Sequence, residues 1–134
     1  MHWWIDSSFL PTFIRITLEG KPSSERYLML WSDLLALDEW KPGMSVLFDI
    51  RLREPLGSDA HIIMSETADL FIRRNEEIGR SFIAVHGNPG QLALHNRMFE
   101  YSIRLRGSEV LIRNFSDGSA AIDWLYHVSK ISFT

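Results

Sequence analysis

Three observations predict an α/β fold built on a mostly parallel central sheet. Strands and helices alternate from Phe13 onward, the inner strands are short apolar runs, and each junction carries a cap or a breaker. Val46-Leu47-Phe48 with Ile50, Phe82 to Val85, and Val110-Leu111-Ile112 are such runs, the pattern of strands covered on both faces. The predicted order is ββαβαβαβα in a single domain over 1–134, with right-handed crossovers and an antiparallel strand at one edge.

Taken in order, Trp3 to Asp6 forms the first strand, and Ser7-Ser8 with Leu10-Pro11 separates it from Phe13 to Glu19. In that second strand Ile14, Ile16 and Leu18 point one way, while Arg15, Thr17 and Glu19 point the other. Pro22 ends the strand, Ser23 or Ser24 caps a helix, and Tyr27, Leu28, Trp31, Leu34 and Leu35 make its apolar stripe. Lys41-Pro42-Gly43 stops it before the central strand Met44 to Leu52. Glu54 to Asp59 is a loop in which Ser58 and Asp59 offer a cap. The helix after it turns Ile63, Thr67, Leu70, Phe71, Arg74 and Ile78 to the sheet and ends at Gly79 in the left-handed region. The His86 to Gly90 loop leads into a helix from about Gln91 to Arg104, with Leu92, His95, Met98, Phe99 and Ile103 inward. The closing helix starts at Ser116-Asp117, and its stripe of Ala120, Ala121, Trp124, Leu125 and Val128 makes Trp124 the expected buried anchor.

The bulk composition excludes several classes. The chain has 134 residues, 46% of them hydrophobic and 23% charged, with a net charge of -3, an ordinary globular balance. Mild acidity argues against a nucleic-acid partner, which needs a concentrated basic surface. Arg73-Arg74 and Arg104-x-Arg106 are local clusters on solvated helix faces. Without cysteine there is no disulfide or thiolate metal site, which fits a cytoplasmic location. No apolar run approaches the ~20 residues of a membrane span, and Asp6, Ser7 and Ser8 interrupt the amino end too early for a signal peptide.

Three segments resemble the STAS-like domains, named from sulfate transporters and anti-sigma-factor antagonists. They are Val46-Leu47-Phe48-Asp49-Ile50-Arg51, Arg97-Met98-Phe99-Glu100, and Arg113-Asn114-Phe115 through Ala121-Ile122-Asp123-Trp124-Leu125. The pattern is most similar to the small stand-alone bacterial SpoIIAA-like branch, which also looks like the lipid-binding lobe of Sec14-type proteins. The resemblance spans Trp3 to Leu125. It implies a SpoIIAA-like fold and a binding role rather than a reaction. In anti-sigma-factor antagonists the phosphorylated serine opens the second helix. The matching loop here reads Gly57-Ser58-Asp59, without the preceding Asp and the following Gly, so Ser58 is expected to cap.

Ligands of such sheets settle beyond the carboxyl ends of the parallel strands. The candidate cleft for a ligand or partner is therefore Asp49, Arg51, Ser58, His86, Asn88 and Asn114. His86 ends a buried strand beside a Gly- and Pro-containing loop, where an imidazole can serve as acid, base or ligand, or simply satisfy a carbonyl. The five histidines form no closely spaced pair, so no metal is expected. No phosphate-binding glycine loop and no Gly-x-Ser-x-Gly elbow is present, and no cofactor is expected. Trp3, Trp4, Phe9 and Phe13, joined by Ile131-Ser132-Phe133, make a candidate homodimer seam. Trp31, Phe71, Phe99 and Trp124 argue for a filled core. The leading expectation is a non-enzymatic regulatory or protein-binding module. The alternative is a carrier of a small lipid-like or anionic molecule. A hydrolase-type enzyme using His86 with Asp49 comes third.

Overall fold

Alternation along Phe13 to Glu19 builds the second strand of a five-stranded sheet. The computed structural model describes residues 1–92 and 95–132. In it β1 (His2–Asp6) pairs antiparallel with β2 (Ile14–Gly20), and β3 (Val46–Arg53), β4 (Phe82–His86) and β5 (Leu111–Phe115) follow in parallel. The spatial order is β1-β2-β3-β4-β5, the same as the order in sequence. The helices are α1 (Ser24–Leu35), α2 (Ala60–Arg73), α3 (Asn75–Ile78), α4 (Pro89–Leu92), α5 (His95–Leu105) and α6 (Gly118–Ser132).

When each strand lies beside its predecessor, right-handed crossovers place every connecting helix on one face. Accordingly α1, α2 and α5 pack side by side over Ile14, Ile16, Leu18, Phe48, Ile83 and Ile112. Helix α6 has no crossover to make and covers the opposite face. Its Ala121 and Leu125 meet Phe13, Leu47 and Ala84 there. The capping signals work at two of the three predicted starts. The Ser23 hydroxyl accepts from the Arg26 amide at 3.2 Å, and an Asp117 carboxylate oxygen accepts from the Ser119 amide at 2.9 Å.

Several local expectations are corrected. The helix predicted to run to Ile78 breaks at Arg74, and α3 is a separate short turn. Gly79 has the positive φ foreseen for it, but its ψ of -156° lies outside the left-handed helical region. The Pro42-Gly43 loop crosses it so closely that a Cβ there would lie 2.7 Å from the Gly43 nitrogen. Strand β5 is an edge, so Leu111 is exposed while Val110 and Ile112 are buried. Met98 is exposed rather than inward. Trp124 is only half-buried, against Phe82 and Phe115, whereas its neighbour Leu125 is completely enclosed. The side chains of His95, Ile131 and Ser132, and all of Phe133, lie outside the described residues. No described helix is long and apolar enough to cross a membrane.

Candidate functional site

The site originates in an irregularity of β3. Between Thr17 and Glu19 the partner strand advances from Asp49 to Leu52, three residues against two. One extra residue on β3 reverses its alternation, because successive side chains point to opposite faces. Without it, Arg53 would share the α6 face with Asp49. With it, Arg53 turns to the face of Leu18 and Ile50, beneath α1 and α2.

There Arg53 enters a pocket of about 100 Å³ between the sheet and helices α1, α2 and α5. Trp31, Phe48, Phe71 and Phe99 line it with aliphatic side chains from β2 to β5 and α2. The aromatic residues expected to fill the core rather than enclose a large cavity leave this small pocket, of which Trp31, Phe71 and Phe99 are walls. Trp31 and Phe71 meet edge to face at 4.7 Å, as do Phe71 and Phe99 at 5.4 Å, which fixes their planes. Among the described lining residues, Arg53 is the one that carries a charge. It is 7% exposed. Its Nη1 donates to the Tyr27 hydroxyl at 2.7 Å, its Nε is buried without a partner, and it joins no ion pair among the described residues. The nearby Thr67 hydroxyl donates to the Ile63 carbonyl.

The β4–α4 loop holds this end of β3. Strand β4 ends opposite Asp49, so the later carbonyls of β3 lose their neighbour and need other donors. Gln91 supplies them: its Nε2 donates to the Ile50 carbonyl at 2.7 Å and the Arg53 carbonyl at 2.9 Å. Its Oε1 accepts from the Asn88 amide at 2.8 Å. Gly87 leaves room for this clamp, since a Cβ there would lie 2.8 Å from Ile50 and 3.0 Å from the Gln91 oxygen.

The cleft anticipated from the sequence is divided by the fold. Asp49, Arg51 and His86 lie on the α6 face, with Asp49 and His86 side by side in the ladder. Asp49 is 3% exposed, and its two oxygens accept from Arg51 Nε, the Arg51 amide, Arg51 Nη2 and Arg15 Nη2 at 2.8–3.2 Å. Burial pushes its carboxyl up, but the Arg51 and Arg15 hydrogen bonds outweigh that and hold it at about 2. No hydrogen bond joins Asp49 to His86 among the described residues. The first residue of α6, Gly118, sits over the buried imidazole, with its would-be Cβ 2.9 Å from His86 Cε1. This face therefore reads as a closed ion network and a packed histidine. Asn114 pairs with Val85 in the ladder and so belongs to the pocket face. Ser58 and Asn88 stand in exposed loop positions.

Sequence reasoning missed Arg53, Tyr27 and Gln91. Strict alternation from Asp49 assigns Arg53 to the wrong face, and nothing in the local sequence marks the added residue. A signal for Gln91 existed in Gly87-Asn88-Pro89-Gly90, a turn tight enough to fold a side chain back on the strand.

The expected capping role of Ser58 is also corrected. Asp59 occupies the cap position of α2 without a side-chain hydrogen bond, and Ser58 is exposed. Replacing Ser58 with Ala is expected to change unfolding free energy by less than about 0.5 kcal/mol, measured by urea titration. A loss above about 1 kcal/mol would restore it as a cap.

The aromatic residues at the amino end do not form one patch. Phe13 is fully enclosed and stacks on Phe9 at 4.6 Å, on the α6 face. Trp3 lies on the α1 side beneath the Arg26 guanidinium, 4.4 Å away, and Trp4 alone of the four is exposed.

A crystal structure of an uncharacterised protein of the DUF3478 family from Shewanella loihica PV-4, with a SpoIIAA-like fold, superposes on this chain with a TM-score of 0.55. The two share 19% sequence identity, and the match covers 92% of each chain. No protein-family model and no curated protein matches the sequence. The chain thus has a SpoIIAA-like fold, a mixed five-stranded sheet with one antiparallel pair.

Proposed function

We propose that the protein is a non-enzymatic binding module that takes a small, largely apolar molecule into the pocket between the sheet and α1, α2 and α5. The supporting observation is the pocket itself. Native interiors pack like organic crystals, with few voids larger than a water molecule. A space of about 100 Å³ among Trp31, Phe71 and Phe99 departs from that packing at the place where a charged side chain also enters. Apolar, concave and furnished with few polar groups, it has the character of a ligand site. The alternative raised by the sequence, ligand carriage, thereby takes precedence over recognition of a protein partner alone. A regulatory role follows if occupancy alters the surface that α1 and α2 present.

Toluene is the probe of the pocket. Titrated into methyl-labelled protein, it is expected to shift Ile50, Ile63, Met64 and Ile83 resonances together and to raise the Tm with concentration, as any ligand of the folded state does. Unmoved resonances and an unchanged Tm at saturating toluene would remove the reading.

A further inference from the structure

We infer that Arg53 and Tyr27 form a receptor for the carboxylate of a small organic acid whose apolar body fills the pocket. The inference rests on the pocket reading above and adds the chemistry of the ligand's head.

A guanidinium in an apolar setting is costly unless it is paired and hydrogen-bonded. Arg15 and Arg51 on the opposite face both reach Asp49, although Arg15 Nε is also buried without a partner, and Arg113 on the edge strand is exposed. Arg53 departs from that rule. It is more than nine-tenths buried, has no carboxylate among the described residues, and leaves Nε without an acceptor. Its orientation is not incidental. The extra residue of β3 turns it inward, and the Gln91 side chain grips the Arg53 carbonyl and the Ile50 carbonyl to hold that turn. The protein thus keeps a cation in an apolar pocket by backbone geometry and leaves a donor open.

The missing acceptor is an anion, and its type follows from charge and shape. The planar donor edge of a guanidinium matches a carboxylate with two parallel hydrogen bonds. Tyr27 adds a hydroxyl beside Arg53. One cation balances a monoanion, whereas a phosphate monoester would bury surplus negative charge. The size of the body follows from the volume. An engineered cavity of about 150 Å³ accepts benzene, so about 100 Å³ limits the apolar body to at most one ring or a short branched chain, and a long acyl chain exceeds it. Gln91 is a positioning residue in this scheme, acting through Arg53.

The experiment compares phenylacetate, phenylacetamide, benzyl phosphate and toluene on the intact chain, followed by calorimetry and by the pocket methyl resonances. Phenylacetate is expected to bind at least about tenfold more tightly than the isosteric amide, the scale of one charge-assisted contact. It should also bind more tightly than benzyl phosphate. Arg53→Gln is expected to bring acid and amide to equal affinity while toluene binding persists, and Tyr27→Phe to reduce the acid preference partway. Tyr27 is only partly buried, so the second variant tests the inference even if the first folds poorly. Equal affinity of acid and amide in the unaltered protein would overturn the inference and leave the pocket reading standing, provided toluene still binds. The same holds for an acid preference that survives Arg53→Gln, or for acid-induced shifts confined to the Arg15–Asp49–Arg51 face. Tighter binding of benzyl phosphate would replace the carboxylate with a phosphate ester and equally overturn it. Failure of toluene to move the pocket resonances would instead remove the pocket reading itself.

Discussion

Leu125→Ala is expected to destabilise the protein by about 2–5 kcal/mol, and by more than Trp124→Ala, in urea unfolding. Leu125 is completely enclosed, in a small cluster with Phe13, Leu47, Ala84 and Ala121 at the centre of the contact between α6 and its face of the sheet. Truncation leaves a void that the neighbours cannot readily close, because Phe13, Leu47 and Ala84 belong to three different strands or their ends. Trp124 is larger but only partly buried, and its ring meets Phe82 edge to face at 5.9 Å and Phe115 at a tilt at 5.7 Å, with the Arg113 guanidinium 6.0 Å over it. Its loss should cost about 1–2 kcal/mol, two aromatic contacts of the usual strength. A larger loss at Trp124 than at Leu125 would mean that the helix is anchored by its outer rim. Against a typical total stability of about 5–15 kcal/mol, the Leu125 variant forfeits a large share.

The second large effect depends on pH. Asp49→Asn is expected to cost about 2 kcal/mol at neutral pH, because the carboxyl is held at about 2 against a usual 3.8 and each unit is worth about 1.36 kcal/mol. The sign follows from the direction of that shift. A carboxyl whose pKa is depressed by folding contributes its full stabilisation above the unfolded value, and loses it as pH falls through the folded one. The gap between the two proteins should therefore be constant above about pH 5, narrow below about pH 4, and shrink to less than about 1 kcal/mol near pH 2. Chemical denaturation across that range measures it. A gap that ignores pH would assign the cost to amide geometry and not to the charge held by Arg15 and Arg51.

Elements dominated by one periodicity were legible in the sequence. The alternation of Ile14, Ile16 and Leu18 placed β2 within a residue, and the stripe of Trp31 and Leu34 placed the start and buried face of α1, although that helix ends at Leu35, well short of the Lys41-Pro42-Gly43 breaker. The antiparallel edge hairpin and the parallel run after it were also legible, whereas the spatial order β1-β2-β3-β4-β5, which puts the crossover helices on one face, was not. What escaped depends on events between distant segments. Leu111 looks like a core residue in Val110-Leu111-Ile112, but β5 is the edge of the described sheet and Leu111 is exposed there. Arg53 looks like the outward partner of Arg51, but one unpaired residue in the ladder sends it inward. Asp49 and Arg51 were chosen from local context, and they do occur together, as an ion network. Their proximity was readable because they lie two residues apart. The pocket was not, since its walls come from four strands and three helices.

The sequential strand order also governs how the protein emerges during synthesis. Each strand pairs with the one made just before it, so the sheet can grow strand by strand as the chain lengthens. Helix α6 is the exception in space, since it returns to cover β4, β5 and the residues around Phe13 made long before. Until Gly118–Ser132 have left the ribosome, Phe13, Leu47 and Ala84 present an uncovered apolar face, while the pocket side is already roofed by α1, α2 and α5. The nascent domain thus matures its binding side first and carries its sticky side last. That is the interval in which a holding chaperone has a surface to grip.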